Sequence, residues 1–434
     1  MKMVTGRWTL VWVLFVFSSN IRAENFYDLN HLNLCCDDQN KSNMNQSIFE
    51  ESLNANNFLS ENALDKSFIN IKILNRGPDS NKTDEQFRFW KPSEFKYQTA
   101  LGYDAFAFEV PKSLESQVRF WIKIYTQYTT KQGVFHKSGN TDEILGEIDL
   151  TDIYLNPQWG KNRKAVEAEK LIKRQRKFFA AKHGIKNIKT VRLQMGLKDR
   201  TEEAIQISGL YMPMMEDVFK KEGIPLELLR VVFVESSFNN KALSRAGAAG
   251  LWQIMPNVAK KLRYLNENQD LRYHPYYSTK IAAKILKQNY QILKSWPLAV
   301  TSYNFGVGSM LKVKKKLGQQ NLSDFFDQSK NKNLIGFASS NFYATFLAAL
   351  HVETHANLYF GDPFKIYNPM TFKSVTLDKK IVLNDFLNKN DLSHLEFKKL
   401  NPHIKNKLLG SLKSKLPSGI VINLPSKDKV AENN

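Results

Sequence analysis

Cysteine is nearly absent from this 434-residue chain, which holds two, adjacent at Cys35 and Cys36. That excludes a disulfide-built scaffold and a multi-cysteine zinc site, and no ordinary long-range bridge can close within one chain. Acid is scarce relative to base: 62 Lys and Arg stand against 42 Asp and Glu, a net charge of +20. Such a surplus selects polyanionic partners, namely nucleic acid, anionic lipid or an acidic cell-envelope polymer. After the N-terminus no long apolar run reads as a second membrane segment. No Gly-rich phosphate loop, nucleophile elbow or Cys/His signature occurs. His351 and His355 lie at i, i+4, but no third ligand stands at a recognised spacing, so they read as a surface pair, and neither a metal nor a cofactor is expected. With 24% charged and 12% aromatic residues the chain is a folded protein, long enough for two or three domains of roughly 100–200 residues.

What is present begins with an address. Lys2 and Arg7 precede an apolar run from Trp8 to Phe17, followed by Ser18, Ser19 and Ala23, so residues 1–23 read as a secretory signal peptide. Export to the periplasm or the medium makes nucleic acid an unsuitable partner, and it leaves membrane association only to an uncleaved N-terminal segment. Residues 24–82, rich in Asn, Asp and Ser without a sustained period, read as a poorly ordered leader. Residues 83–158 form a mixed α/β extension, with a β-like Phe106–Val110 and a Phe120–Tyr125 segment that suits strand or helix. Lys161 to Lys198 carries 13 Lys and Arg against Glu167 and Glu169, a helix-compatible stretch interrupted at Gly184 and most simply a solvated face.

Helical punctuation dominates after residue 200. Pro225 is placed to open a helix running to Glu235, Ser278 to cap one carrying Ile281 and Ile285, and Pro297 to open one reaching Tyr303 and stopping near Gly306. Another covers Phe342 to His351. From Phe372 the texture changes to two strand-like pieces, Ser374–Leu377 and Gly419–Ile422, flanking two short helical patterns, which predicts a small α+β tail. The whole reads as mainly α.

Glu235 is the residue that points to chemistry. Leu228, Val232 and Glu235 share an i, i+4, i+7 face, so the carboxylate lies along an apolar stripe where desolvation raises its pKa. A carboxyl protonated near neutral pH can act as a general acid, although a buried glutamate satisfied by Ser236 or a backbone amide fits the same pattern. The small-residue stretch Ala246–Gly250 would let backbone approach a ligand, and Leu251-Trp252-Gln253 adds an aromatic face and an amide, materials suited to a sugar.

Glu235-Ser236, Gly250-Leu251-Trp252-Gln253 and Ser302-Tyr303-Asn304-Phe305-Gly306, in that order and spacing, resemble the successive motifs of the family 1 lytic transglycosylases, the goose-lysozyme-like enzymes that cleave bacterial peptidoglycan. Val191-Arg192 through Gly196, then Ser208, Tyr211, Pro213 and Met214, resemble the approach to the catalytic helix in the membrane-bound lytic transglycosylase D subgroup. Tyr343 falls where that family has a tyrosine after its third motif. The likeness covers about Phe120 to Gly361. It departs from the family pattern at Ser302, where Ala is usual, and at Phe305, where a small residue is usual.

The resemblance implies a lysozyme-like helical catalytic domain over 159–362 that cuts the β-1,4 bond between N-acetylmuramic acid and N-acetylglucosamine without water, leaving a 1,6-anhydro end. Glu235 would be the catalytic acid and then base, Ser236 would orient it, Gln253, Tyr303 and Asn304 would contact the glycan, and Tyr343 would sit beside the acid. Peptidoglycan strands are the implied partner. Residues 370–425, with Leu400-Asn401-Pro402 between helical pieces, resemble a degenerate LysM module, a small glycan-binding fold, and their basic charge suggests a wall tether separable from catalysis. Two other classes fit the same motifs: a hydrolytic muramidase or chitinase, disfavoured because Ser236 to Asn266 holds no acid, and an inactive glycan-binding scaffold, disfavoured by the presence of Glu235.

Overall fold

The computed structural model describes residues 71–73, 108–318, 321–332 and 334–426. The signal-peptide reading and almost all of the leader lie outside the described residues. The exception within the leader is a strand, β1 (Ile71–Ile73), which pairs antiparallel with a strand far along the chain, β5 (Lys365–Tyr367).

The next described residues form a layered unit. Phe108 is buried against Phe346, and residues 108–110 form no strand, so the β-like reading of Phe106–Val110 fails where it can be seen. Phe120–Tyr125 resolves as helix, within α1 (Glu115–Thr126). Its Val118, Trp121, Ile122 and Tyr125 are buried, and the Trp121 indole N–H donates to Asn341 Oδ1 at 3.2 Å. Strands β2 (Gln132–Lys137), β3 (Asn140–Asp149) and β4 (Val191–Met195) make an antiparallel sheet in the order β3-β2-β4. Between β3 and β4 run a short α2 (Thr151–Leu155) and the long basic α3 (Lys161–Lys182). Ala168, Ile172, Phe179 and Ala180 of α3 pack on Phe135, Leu145, Val191 and Leu193 of the sheet. Its lysines and arginines face outward, as a charged face should. The basic stretch is therefore helix only to Lys182, and its last part is strand.

The main body is helical: α4 (Lys198–Glu222), α5 (Val231–Ser236), α6 (Pro256–Lys261), α7 (Pro275–Leu293), α8 (Trp296–Phe305), α9 (Val307–Leu317), α10 (Leu322–Asn331), α11 (Phe337–Thr354) and α12 (Ala356–Phe360). One apolar cluster runs through all but the most peripheral of these and includes α1. Each fully buried Leu, Ile or Phe in it contributes roughly 1.5–3 kcal/mol of transfer free energy. Pro225 does not open an α-helix directly; it caps a 3-10 turn, Leu226–Arg230, that leads into α5. Ser278 is not a cap either. The helix starts earlier because Pro275 occupies its first position, and the Ser278 hydroxyl donates to the Pro275 carbonyl. His351 is buried with its Nε2 2.9 Å from the Tyr359 hydroxyl and its ring stacked on His355, so the two do not form the expected surface pair.

The tail runs two strands, three short helices and two strands. Strands β6 (Phe372–Thr376) and β9 (Val421–Pro425) pair antiparallel, β7 (Ile381–Val382) pairs with β8 (Lys415–Leu416), and α13 (Leu383–Lys389), α14 (His394–Leu400) and a turn-length α15 (Asn406–Leu409) lie between. Ser393 and Glu396 form a capping box at the start of α14. Leu383, Phe386, Phe397, Leu409, Leu416 and Ile422 make a separate core. The tail lies on the helical body: Gln269 bridges Ile404, and the Asp270 N–H donates to the His403 carbonyl at 2.7 Å.

Candidate active site

Every residue of α5 is buried, and Glu235 near its end is 5% exposed. Burial pushes the Glu235 carboxyl well above the ordinary carboxylate range. The helix then stops abruptly. Ser237 and Phe238 have φ of +48° and +59°, left-handed conformations that cost residues with a Cβ roughly 1–2 kcal/mol each. Phe238 is held there by burial and by its edge-on contact with Phe233 at 4.8 Å. The turn sends the chain back past the acid into the Ala246–Gln253 loop.

That loop is fastened to α5 and α8. The Ser236 hydroxyl donates to the Leu251 carbonyl at 2.8 Å, and its second, longer bond goes back to Val232, so this serine ties loop to helix rather than bonding the carboxyl. The Tyr303 hydroxyl donates to the Trp252 carbonyl at 2.8 Å. Burial and then the Glu235 charge raise the Tyr303 hydroxyl well above its usual range, which places that phenol within electrostatic reach of the acid. Gln253, at φ +44°, donates to the Gly250 carbonyl at 3.0 Å and the Ala242 carbonyl at 3.3 Å. Asn304 accepts from the Ser339 hydroxyl at 2.7 Å, which fixes its amide against α11. Phe305 is half-buried on the edge of the core.

Three expectations change. Trp252 offers no face to a ligand: it is fully buried, stacked on Phe219 at 5.6 Å, with its N–H donated to Thr279 at 3.0 Å. Gly250 serves the protein's own chain. At φ +75°, a Cβ there would lie 2.0 Å from the Arg272 carbonyl oxygen. Tyr343 is also fully buried, stacked between Phe326 and Phe346 at 5.7 and 5.9 Å, and burial alone raises its hydroxyl. A side chain with no exposed edge cannot line a glycan groove in this conformation.

The sequence reading missed two ion pairs. Arg230, in the turn before α5, donates through Nη2 and Nε to Glu353 Oε2 at 2.8 and 3.2 Å, with both side chains at most 2% exposed. An arginine inside Leu228-Leu229-Arg230-Val231-Val232 was itself the signal, since a charge in an apolar run requires a partner. Arg272 forms the second pair, with Asp270, and extends its other nitrogen to the Gly247 and Ile254 carbonyls at 2.5 and 3.0 Å. Glu267 is exposed and 3.9 Å from Lys407. Among the described residues no group of three or more His, Cys, Asp or Glu is placed to hold a metal, and no helix is long and apolar enough to cross a membrane.

Residues 214–326 match the family model of the transglycosylase SLT domain. The chain is 33% identical over 119 residues to membrane-bound lytic murein transglycosylase D of Escherichia coli strain K12, a match covering 27% of this chain and 26% of that protein. It is 32% identical over 120 residues to membrane-bound lytic murein transglycosylase C of Glaesserella parasuis serovar 5, covering 24% and 32%. The chain thus spans about a quarter to a third of the length of these curated relatives. Among solved structures, the lytic transglycosylase Slt of Pseudomonas aeruginosa, in an inactive form, is similar at 19% identity over 35% of this chain and 25% of that one, with a TM-score of 0.28, too slight to carry weight. The motif resemblance to lytic transglycosylases is supported over the matched segment, which contains Glu235, Gln253, Tyr303 and Asn304; Tyr343 lies beyond it.

Proposed function

We propose that the chain is a peptidoglycan lytic transglycosylase of the bacterial cell envelope, exported to the periplasm or beyond, with Glu235 as its acid and base. The observation that carries this is the buried Glu235 inside the SLT match, at the end of a helix whose Ser236 bonds the same motif loop that the Tyr303 hydroxyl holds. With burial favouring its protonated form, Glu235 donates to the glycosidic oxygen as the bond to C1 of N-acetylmuramic acid breaks. The same carboxylate then takes the proton of that sugar's 6-hydroxyl, whose oxygen closes on C1. One carboxylate suffices because the two proton transfers follow one another. Two-carboxylate hydrolysis needs a second acid at a set separation across the bond. Asp270 is committed to Arg272 and Glu267 is exposed, so neither of the next acids in the chain supports that alternative.

Asn304, whose amide oxygen is held by Ser339, is proposed to donate from its amide nitrogen to N-acetyl or ring oxygens, and Gln253, whose amide nitrogen is held by Gly250 and Ala242, to accept from an N-acetyl N–H or a hydroxyl through its amide oxygen; the part of each amide already held by the protein limits the entropy lost on binding. Ser236 acts indirectly, through Leu251. The strands-helices-strands order of residues 372–425 supports reading the tail as a LysM-like glycan-binding unit. Mass spectrometry of muropeptides released from purified sacculi tests the proposal. Anhydro ends are expected; free reducing ends would assign hydrolysis, and no release would assign a scaffold.

A further inference from the structure

We propose that the C-terminal unit is a brace for the active-site loop, and that Gln269, Asp270 and Arg272 are positioning residues through which it acts. The chain of contact starts in the tail. Segment 266–274 of the body is held along its length by the tail backbone. The His403 carbonyl accepts from the Asp270 N–H at 2.7 Å, and the Lys405 N–H donates to the Asn268 carbonyl at 3.0 Å. Side chains complete the joint: Gln269 Oε1 accepts from the Val421 N–H at 2.9 Å, and His274 Nε2 lies 2.8 Å from Asn423 Oδ1, which also accepts from the Ser374 hydroxyl at 2.7 Å.

This joint is buried. Gln269, Asp270, Arg272 and His274 on the body, and Asn401, His403 and Asn423 on the tail, are all buried. A flexibly linked tether has no need to bury polar side chains on its neighbour, and each buried polar group must find a partner or cost about 1–3 kcal/mol. Across the joint the side chains of Gln269, His274 and Asn423 pair, and with the Asp270–His403 and Lys405–Asn268 backbone bonds they fix the tail in one place.

From segment 266–274 the hold passes to the loop that follows Glu235. Asp270 grips Arg272 through two bonds at 2.9 and 2.7 Å. Arg272 Nη1 bonds the carbonyls of Gly247 and Ile254, one at each end of the stretch containing Leu251, Trp252 and Gln253. Asn240 Nδ2 donates to the Tyr273 carbonyl at 2.9 Å, and Gly250 lies flat against the Arg272 carbonyl. Leu251 in turn receives the Ser236 hydroxyl. The path from His403 to the residue beside Glu235 is thus a continuous run of short bonds through Asp270, Arg272, the loop and Ser236. Because misplacement of a reacting group by about 1 Å can cost on the order of 100-fold in rate, a brace on this loop bears on turnover and not only on binding. The tail is then not the separable tether that its charge suggested.

The structural half of the inference stands without the glycan-cleaving reading; its turnover half rests on that reading. The test uses the full chain with Gln269→Ala, which removes the acceptor for the Val421 N–H, and Gln269→Glu, which keeps one. Amide hydrogen exchange is followed without substrate, and kcat and KM are measured on short soluble glycan strands. In Gln269→Ala, exchange at Asp270 and Val421 is expected to rise at least tenfold, and with it exchange at Ala249, Gly250 and Ile254. On the same variant kcat falls at least fivefold with KM within twofold, and Gln269→Glu recovers most of both effects. Exchange at Ala249, Gly250 and Ile254 that stays at the wild-type rate overturns the brace, whether or not the joint itself loosens. Unchanged kcat in a variant whose loop exchanges faster overturns the positioning role. Wild-type protein that cleaves no glycan defeats the functional reading instead and leaves the exchange result standing.

Discussion

Removing Glu353 gives the sharpest test of how the acid is held. The Arg230 guanidinium is 1% exposed and makes two bonds to one oxygen of Glu353, with a third to the Leu226 carbonyl at 3.1 Å. Deleting one member of a buried pair costs about 3–5 kcal/mol, because the remaining charge keeps its desolvation penalty and loses the attraction that offset it. Against a total stability of about 5–15 kcal/mol, that is a large fraction. Glu353→Ala should therefore shift the urea unfolding midpoint down by about a fifth or more, with the slope unchanged. Replacing both members, Arg230→Met with Glu353→Leu, should cost far less than the single change, since neither member then leaves the other's charge buried and unpaired. The pair also joins the turn before α5 to α11, so the single variant should lose activity even where it remains folded. A Glu353→Ala cost below about 1 kcal/mol, or a double variant less stable than the single one, would refute the reasoning.

Three further outcomes are expected. Glu235→Gln should abolish glycan cleavage while raising stability at neutral pH: a carboxyl with a raised folded pKa binds more protons folded than unfolded, so its contribution declines as pH rises, and the amide cannot ionise. Retention of a tenth of wild-type activity, read by muropeptide release, would remove Glu235 from the mechanism. Gly250→Ala should cost about 3 kcal/mol or more in thermal or urea unfolding, from a left-handed φ and a Cβ placed 2.0 Å from a backbone oxygen; a near-neutral change would show that the loop can move away from Arg272. Burial lowers His136 and His403 to about 4 and His274 and His351 to about 3, so below pH 6.5 the unfolded chain takes up protons that the folded one refuses. Each should remove about 1.4 kcal/mol of stability per pH unit down to its folded pKa, and a flat urea midpoint between pH 6.5 and 4 would contradict this.

The helical body was legible because its helices carry apolar stripes and proline starts, and the acid was legible because Glu235 interrupts such a stripe. Motif order pointed to Gln253, Tyr303 and Asn304, but not to how they are held, since Ser339 and Arg272 are brought to the site by packing that no local pattern encodes. Trp252 and Tyr343 were misplaced for one reason: an aromatic side chain beside a motif looks the same in sequence whether it faces a groove or fills the core. The break expected at Gly184 is where helix α3 stops, but beyond it the basic residues Lys186, Lys189 and Arg192 suit an exposed turn and strand edge as well as a helix face. The docking of the tail could not be read at all. It depends on backbone groups of Asn268, Asp270, His403 and Lys405, which carry no side-chain signature, and on Gln269, His274 and Asn423, polar residues that no local pattern pairs across more than 140 positions.

The contact between α1 and α11 sets a schedule for the nascent chain. Asn341, the acceptor for the Trp121 indole, comes 220 positions later. At about 5–20 residues per second, α1 waits roughly 10–45 s for the helix that covers it, with Phe120, Trp121 and Ile122 lacking their final neighbours. Over that interval α1 is a sticky, uncovered helix, and a holding chaperone that favours aromatic-rich segments would find a target there. Translated without residues 1–23, so that export does not postpone folding, a chain stalled on the ribosome before residue 337 should display α1 to protease, and one stalled well beyond residue 354 should not.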